Sequence, residues 1–441
     1  MPNEPKTRNS SPFARSPLPR RFCNLDRLLS AMKVRGLDGI VASTPNNVFY
    51  LTGFNGVSHK SDEPRQCAVI LSRHAPEHPI FVVADYFLGS FLIQPTWVED
   101  IRPFRTLLMS FDVQPKPDDV DRCIPRSAAG VEWIERARRS YVYDMGDALR
   151  GALKDLKLDR GRVAFDDLGL GFRLGLEGTE VVDGYDPLMF ARAVKTETEL
   201  KLLERATQLN ESAINATVAS WQQGATWRDL NRSYERAVCD LGGFVHDPGG
   251  FVWGPARGMD PAVMLATGLE NDEVTRGTHV MFDCHGSLDL YCWDGGKTWV
   301  VDGEPEGAAK LVSKATAAAG EALLEGMRPG AKVSKLQAIA RDVYRKCGVP
   351  NPASAMIFFH GLGLSHMDIE QTTADGNKNA DWTFEEGMVV PLHLLYPGGE
   401  RERLWLEEVV AVTSNGGRPL FSWGLEPLTG RGASAGSRPG T

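Results

Sequence analysis

The sequence predicts two successive domains, an α/β domain followed by a larger α+β domain. Up to about residue 185, helical apolar spacing alternates with short apolar strands, which is typical of an α/β domain. Beyond that point helical patterns come first, and glycine-rich segments and strands follow them. The 441 residues include 42% hydrophobic and 24% charged side chains, which is enough apolar material for more than one core.

Charge, hydropathy and cysteine usage exclude several classes of protein. The net charge of −8 argues against a nucleic-acid-binding protein, which usually presents a basic face. The chain contains no run of 18 apolar residues, so we expect no membrane-spanning helix and no membrane partner. The seven cysteines are scattered and form no CxxC pair, which favours a reducing, cytoplasmic location over a disulfide framework.

The first domain is expected over residues 23–186. Helical apolar spacing begins beside Asn24 and continues to Val34. The residues Pro45-Asn46-Asn47 predict a turn. Buried strands are predicted at 37–43, 66–71 and 79–83.

The second domain is expected over residues 187–428. Thr196 and Glu199 predict a capping box, in which each side chain satisfies a backbone amide at the start of a helix that runs to about Trp221. Three further helices are predicted at 226–241, 306–327 and 334–347. The segments 1–22 and 429–441 are predicted to be disordered tails because they are rich in small, polar and proline residues.

Two aspartates in a predicted hairpin indicate a metal site. Asp283 follows the apolar strand 280–282, Gly286-Ser287 is predicted to turn the chain, and Asp294 follows the returning strand. The hairpin brings both carboxylates to one point. Unpaired buried carboxylates are costly, and a divalent cation is a good reason to hold two of them together. A surface turn is the simpler alternative for either aspartate alone.

A second candidate group surrounds His360. The apolar strand 356–359 runs into His360, and Gly361 and Gly363 let the backbone pass close to another group. His366 follows six residues after His360. For each histidine, the alternative is a hydrogen-bonded histidine of the core or of a turn.

Two apolar strands each carry an ionisable side chain in the middle. His393 and Glu407 occupy positions where a buried strand normally carries Val or Ile, so we expect each to be paired or bound to a metal. Alternation along the strand places Glu407 and Glu408 on opposite faces, and a register shift of one residue would exchange them. Mixed carboxylate and imidazole ligands suit Mn, Fe, Co, Ni or Zn. The ordered candidate set is Asp283, Asp294, His360, His393 and Glu407.

This ordered set resembles the metal site of the pita-bread metallohydrolases, which include aminopeptidase P, prolidase, methionine aminopeptidase and creatinase. The run LDGIVASTPNNVFYLTGF is similar to the N-terminal domain of creatinase and prolidase, and the run HGLG at 360–363 is similar to the motif of the family's metal histidine. The resemblance implies a pita-bread catalytic domain of α+β class, preceded by a smaller creatinase-like α/β domain. It also implies one or two divalent transition-metal ions (Mn, Fe, Co or Zn), a small-molecule or short peptide substrate, and a homodimer.

Several positions depart from the family pattern. His393 replaces the first ligand glutamate, which favours one metal over a tight pair. His285 stands where the family usually has glycine, and it becomes an additional candidate ligand. No histidine precedes Asp283 in the usual Pro-His context, and His246 is the nearest substitute. His366 lies one residue before the usual second histidine, so His366 and His246 are the candidate catalytic residues.

The resemblance and the departures together favour a metal-dependent hydrolase that cleaves an amide or another C–N bond in a small substrate and is not a routine peptidase. Two alternatives stay open. One is a metal-dependent lyase similar to the dimethylsulfoniopropionate lyase branch of the family, with His366 at the position of the catalytic base. The other is a catalytically inactive binding protein. His59 and Arg65 are candidate ligands for a substrate carboxylate, and Trp293 for a substrate cation.

Overall fold

The computed structural model describes residues 13, 18–19, 21–55, 67–92, 94, 96–106, 112, 116–124, 131–245, 252–253, 271–366, 368 and 381–430. The chain divides into an N-terminal unit, Pro17–Arg192, and a C-terminal unit that contains Ala193–Thr441. The N-terminal unit contains one sheet and the C-terminal unit contains two.

Six strands form the sheet of the N-terminal unit: β1 (Gly39–Ala42), β2 (Cys67–Ser72), β3 (Ile80–Ala84), β4 (Asp100–Phe104), β5 (Gly161–Phe165) and β6 (Thr179–Asp183). Their spatial order is β4-β3-β2-β1-β5-β6. β2 pairs antiparallel with β1 and β3, and the other neighbours pair in parallel. Every residue of β1 and β3 is buried, which explains their uninterrupted apolar runs.

The helices of this unit are α1 (Leu25–Val34), α2 (Pro45–Thr52), α3 (Glu132–Ser140), α4 (Met145–Asp155), α5 (Leu168–Arg173) and α6 (Tyr185–Ala193). The turn predicted at residues 45–47 is wrong, because Pro45 begins α2. Proline is well tolerated in the first helical turn, where its fixed φ fits and its missing N–H has no partner to lose.

The predicted boundaries need correction at three places. α6 continues past residue 186, and the division between the units falls at Arg192–Ala193. Phe22, assigned to a tail, is buried, and its ring centroid lies 5.3 Å from that of Phe49. The amide of Gly430 is hydrogen-bonded to the backbone, so the second tail was predicted to begin too early. Most other residues of the two predicted tails lie outside the described residues.

The strands of the C-terminal unit are β7 (Phe244–Val245), β8 (Val252–Trp253), β9 (His279–Phe282), β10 (Gly286–Leu288), β11 (Tyr291–Trp293), β12 (Gly296–Val300), β13 (Met356–Phe359), β14 (Val389–Tyr396), β15 (Leu404–Thr413) and β16 (Gly416–Pro419). The larger sheet has the order β13-β14-β15-β12-β9-β8, with β16 paired to β15. A smaller sheet has the order β11-β10-β7. The pairings in both sheets are antiparallel.

The helices of the C-terminal unit are α7 (Glu197–Ser220), α8 (Trp227–Leu241), α9 (Gly307–Gly326) and α10 (Val333–Lys346). The predicted capping box is confirmed at the start of α7: the Glu199 carboxylate accepts from the Thr196 amide at 2.9 Å, and the Thr196 hydroxyl accepts from the Glu199 amide at 3.3 Å. Buried side chains of α9 and α10 share one core with β14 and β15. This core holds the central strands in place.

The turn between the two aspartates differs from the prediction. Gly286 lies inside β10, and the chain turns at Asp289 and Leu290, whose φ values are 49° and 73°. Two successive residues in the left-handed region are what a tight two-residue hairpin requires. Gly286 is needed for another reason, because a Cβ at this position would overlap the ring of Trp293 on the paired strand.

No described helix is both long and apolar enough to cross a lipid bilayer. The seven cysteines all lie in the described part of the chain, and no disulfide joins any of them.

Candidate metal centre

Strand register brings candidate ligands from distant parts of the sequence together. β14 pairs with β15 so that His393 lies opposite Glu407. β12 pairs with the other side of β15, with Gly296 opposite Glu407. Asp294, just before β12, therefore lies beside Glu407, and His360 enters the same cluster from the end of β13.

Asp294 is fully buried and lies at the centre of the cluster. Its Oδ2 atom is 2.7 Å from His366 Nε2 and 3.3 Å from His360 Nε2, and its Oδ1 atom is 3.1 Å from His285 Nε2. His285 Nε2 also lies 3.1 Å from Asp283 Oδ1. Three of the predicted histidines thus converge on the Asp294 carboxylate, and one of them, His285, also contacts Asp283.

The second buried carboxylate is Glu407. Its Oε1 atom lies 2.8 Å from His393 Nε2, but neither oxygen of Glu407 has a hydrogen bond. Ligand atoms of Asp294, His360, His393 and Glu407 all lie within 4.8 Å of one another. The two carboxylates therefore share one buried site with two imidazoles.

These four side chains fit a divalent cation. The oxygens of Asp294, like those of Glu407, have no hydrogen bond of acceptable geometry, although imidazole nitrogens lie close to them. Two ligand atoms held by one cation at about 2.1 Å lie roughly 3 Å apart, which is close to the spacing in this cluster. Buried carboxylates in this state are destabilising unless a positive charge compensates them.

Backbone carbonyls orient the two buried imidazoles. His360 Nδ1 lies 3.0 Å from the carbonyl oxygen of Gly361, and His393 Nδ1 lies 3.3 Å from that of Phe358. A carbonyl oxygen can only accept, so Nδ1 carries the proton in each ring. Each Nε2 atom is then left with its lone pair directed at the carboxylates, as a metal ligand requires.

Burial and charge set the protonation of the histidines. Burial lowers the pKa of His360 and holds the pKa of His393 well below its usual range, so both rings are neutral at neutral pH. Burial alone would also lower the pKa of His285, but its contacts with Asp283 and Asp294 raise that pKa to about 11. Without a metal, His285 is therefore the cation that partly compensates the carboxylates.

The pKa values of the two buried carboxylates, Glu407 and Asp294, are shifted in opposite directions. Burial raises the pKa of Glu407 well above its usual range, and the neighbouring charges of Asp294 and Asp283 raise it further. Burial also opposes ionisation of Asp294, but contacts with His285 and His366 hold the pKa of Asp294 well below its usual range. Glu407 must lose its proton before it can bind a cation, so metal binding would release a proton.

Two glycines allow the close approach of Asp294 and Glu407. Gly295 has a φ of 77°, and a Cβ at this position would lie 2.5 Å from Glu407 Cγ. Gly296 has a φ of 148°, and a Cβ there would lie 2.8 Å from the carbonyl oxygen of Phe282. Only glycine satisfies both the backbone conformation and the space at these positions.

The structure also distinguishes the two adjacent glutamates. Glu407 lies in the candidate cluster, whereas Glu408 is on the opposite face of β15 and accepts a hydrogen bond from the Phe421 amide at 3.2 Å. The alternation of side chains along the strand therefore selects Glu407.

The remaining predicted site residues are His366, His59, Arg65, His246 and Trp293. His366 lies at the solvent side of the cluster, with its side chain 42% exposed. His59, Arg65 and His246 lie outside the described residues. The structure does not support a substrate contact for Trp293, whose ring is fully buried and whose Nε1 donates to the Tyr234 hydroxyl at 2.9 Å.

Sequence reasoning missed a buried polar group behind the cluster. Lys195, Glu199 and Asp368 are buried, and the Tyr291 hydroxyl donates to Glu199 Oε1 at 3.0 Å. Lys195 and Asp368 carry no recognisable spacing relative to each other. Lys195 stands in a mixed polar and apolar segment before α7, so no sequence signal distinguished it.

Comparisons with known proteins agree with this fold. Residues 201–414 match the model of metallopeptidase family M24, and residues 24–113 match the creatinase/prolidase N-terminal domain. Together these matches span more than half of the chain.

The relatives and solved structures carry peptidase names. A putative dipeptidase, YkvY, from Bacillus subtilis (strain 168) is 22% identical over 415 residues, covering 90% of this chain and 97% of the relative. The Xaa-Pro dipeptidase of Pyrococcus horikoshii is 25% identical over 240 residues, covering 53% of this chain and 64% of the relative.

Among solved structures, an Xaa-Pro dipeptidase from Bacillus anthracis has a TM-score of 0.66 at 18% identity, covering 92% of this chain and 99% of the other. An X-Pro aminopeptidase from Thermotoga maritima MSB8 has a TM-score of 0.64 at 18% identity, with the same coverage of both chains. These similarities support the fold, and they give no support to the lyase alternative.

The two-domain fold and the buried carboxylate–imidazole cluster define a metallohydrolase of the pita-bread class. The chain belongs to metallopeptidase family M24, with a creatinase-type N-terminal domain, and it is a divergent member.

Proposed function

We propose that this chain is a metal-dependent hydrolase that cleaves the amide bond of a dipeptide-sized substrate. The observation that carries the proposal is the pair of buried carboxylates, Asp294 and Glu407, which have no hydrogen bond and lie beside the neutral imidazoles of His360 and His393. The peptidase names of the relatives support the amide as the bond that is cleaved.

The cluster divides into two parts with different tasks. Asp294, His360, His393 and Glu407 would hold one divalent transition metal. When bound, such an ion polarises a substrate carbonyl and makes a water molecule a better nucleophile at neutral pH. The mixture of nitrogen and oxygen ligands suits Mn, Fe, Co or Zn.

His366 is suited to moving a proton at the solvent side of the site. Its Nε2 atom lies 2.7 Å from Asp294 Oδ2, which orients the ring, and the side chain is 42% exposed. A partly exposed imidazole can take a proton from water and deliver it to a leaving amine. The ring centroid of His285 lies 4.3 Å from that of His366, and His285 in turn contacts Asp283; these two residues complete the candidate ligand set.

The test combines metal content with cleavage of a dipeptide panel that includes Xaa-Pro and other dipeptides. We expect about one transition-metal ion per chain in elemental mass spectrometry, and cleavage that is lost on chelation and restored by metal. His393→Ala should lose the ion and lower cleavage at least about 100-fold, since it removes a ligand.

His279→Ala is the matched control. His279 is also buried and bonds a backbone carbonyl, that of Arg403 at 2.9 Å, but it is not part of the cluster. The control should keep its metal. Two ions per chain would indicate a dinuclear hydrolase, whereas a wild-type chain that binds no metal and cleaves no dipeptide would contradict the proposal.

A further inference from the structure

Asp368 forms hydrogen bonds with the backbone of the segment 361–366, which follows β13. The amide of Asp368 donates to the carbonyl oxygen of Gly361 at 2.9 Å, and Asp368 Oδ2 accepts from the Leu364 amide at 3.2 Å. A Cβ at Gly363 would overlap Asp368 Oδ2, so the backbone passes directly over this carboxylate. The segment contains His366 and begins immediately after His360.

A buried lysine from another part of the chain holds this aspartate. Lys195 Nζ lies 3.8 Å from Asp368 Oδ2, and the two side chains are 0% and 1% exposed. The backbone of Lys195 is itself fixed, because its amide donates to the carbonyl oxygen of Gly387 at 2.8 Å. Lys195 Nζ also donates to the carbonyl oxygen of Ala193 at 3.3 Å. The lysine is therefore a rigid anchor for the segment.

One carbonyl oxygen connects this ion pair to the candidate metal ligand. Gly361 O accepts from the amide of Asp368, and it also lies 3.0 Å from His360 Nδ1. The position of Asp368 thus fixes the carbonyl that sets the orientation and tautomer of the His360 ring. His360 Nε2, on the other side of the ring, lies 3.3 Å from Asp294 Oδ2.

We propose that Lys195 and Asp368 are positioning residues that hold the segment after β13 so that His360 is oriented as a metal ligand. This inference rests on the proposed metal centre. A buried ion pair adds little net stability because both charges lose their hydration, but it can select one conformation over others. Partners of metal ligands commonly change metal affinity 10- to 100-fold when they are removed.

The pair belongs to a small buried network. Glu199, at the start of α7, is also buried, and its pKa is raised to about 7 by burial while the nearby charge of Lys195 opposes the rise. The Tyr291 hydroxyl donates to Glu199. When Lys195 is replaced by a neutral residue, the Glu199 carboxylate can take up a proton. Glu199 then carries no charge that lacks a partner.

The test measures metal binding to the full chain after its metal has been removed. Asp368→Asn, Lys195→Met and the double variant are titrated with Co²⁺ by calorimetry, and the visible absorption of the bound Co²⁺ reports its coordination. Each single variant breaks the contact that holds the segment, so we expect about 10- to 100-fold weaker binding and an altered spectrum. The double variant lacks the same contact, so its affinity and spectrum should match those of the single variants, with no further loss.

Tyr344→Phe is the control for a general loss of stability. The Tyr344 hydroxyl bonds the Thr316 hydroxyl at 2.8 Å in the core shared by α9 and α10, away from the cluster. This variant should keep the wild-type affinity and spectrum. Unchanged binding by Asp368→Asn, or an equal loss of affinity in Tyr344→Phe, overturns the inference while the metal centre stands. A wild-type chain that binds no Co²⁺ overturns both.

Discussion

Gly295 lies between Asp294 and β12, with a φ of 77° and no room for a side chain beside Glu407. We expect Gly295→Ala to weaken metal binding more than tenfold, because the added Cβ would displace the Glu407 side chain. Left-handed backbone also costs an alanine about 1–2 kcal/mol. Calorimetric titration with metal and urea unfolding measure the two effects separately.

Gly348→Ala is the matched control for this prediction. Gly348 has a φ of 80°, but a Cβ there would meet nothing within 4 Å. The control should lose a similar amount of stability from backbone strain and keep its metal affinity. Equal metal affinities in the two alanine variants would contradict a close Asp294–Glu407 approach.

Individual candidate site residues were predictable from the sequence where they interrupt or end a regular apolar pattern. His393 and Glu407 interrupt apolar strands, and His360 stands between an apolar strand and two glycines. Lys195 and Asp368 were not predictable, because each is only one polar residue in a mixed segment. Their pairing depends on a three-dimensional contact that no spacing in the sequence records.

At the scale of secondary structure, the sequence predicted whether a segment is helix or strand better than it predicted the structural role of individual glycines and prolines. Long periodic segments such as α7 and α9 were found within a few residues. The sequence predicts a turn at Gly286, but in the structure this glycine makes room for the ring of Trp293. The sequence also predicts a turn at Pro45, but this proline begins α2. Both residue types favour turns in general, and tertiary packing decided otherwise.

The start of α7 gives a pH-dependent prediction. Burial raises the pKa of Glu199 from 4.5 to about 7, so the folded state holds this proton more tightly than the unfolded state. The stability from this group is complete below pH 4.5 and is lost as pH rises through about 7. Glu199→Gln keeps a capping-box side chain and removes the titration.

We therefore expect the wild-type chain, relative to Glu199→Gln, to lose about 3 kcal/mol of unfolding free energy between pH 4.5 and pH 8. Urea unfolding of the wild-type chain and of Glu199→Gln at several pH values measures this difference. Groups that titrate in both proteins contribute equally to both, so their contributions cancel in the difference. A difference that does not change with pH would contradict a raised pKa at Glu199.

At the scale of the whole molecule, the order of the two domains followed from the change in pattern near residue 185, whereas the position of their division did not. Asp186 and Pro187, which predict the boundary, lie in the first turn of α6, and this helix continues to Ala193. The antiparallel pairing of β12, β14 and β15 assembles the candidate metal centre within the C-terminal unit alone. Metal binding should therefore stabilise this unit selectively.

A ligand that binds only the folded state, at 100 times its dissociation constant, adds about 2.7 kcal/mol to the stability of the unit that holds it. For a unit of this size, that corresponds to a rise of about 5–10 °C in the midpoint of thermal unfolding. Tryptophan fluorescence reports mainly the C-terminal unit, because Trp97 and Trp133 are the only tryptophans in the N-terminal one. We expect chelation to lower the fluorescence midpoint by this amount, and His393→Ala to show no response to metal or chelator. If His393→Ala responded as strongly as the wild-type chain, the stabilising ion would bind elsewhere and the assignment of His393 as a ligand would be wrong.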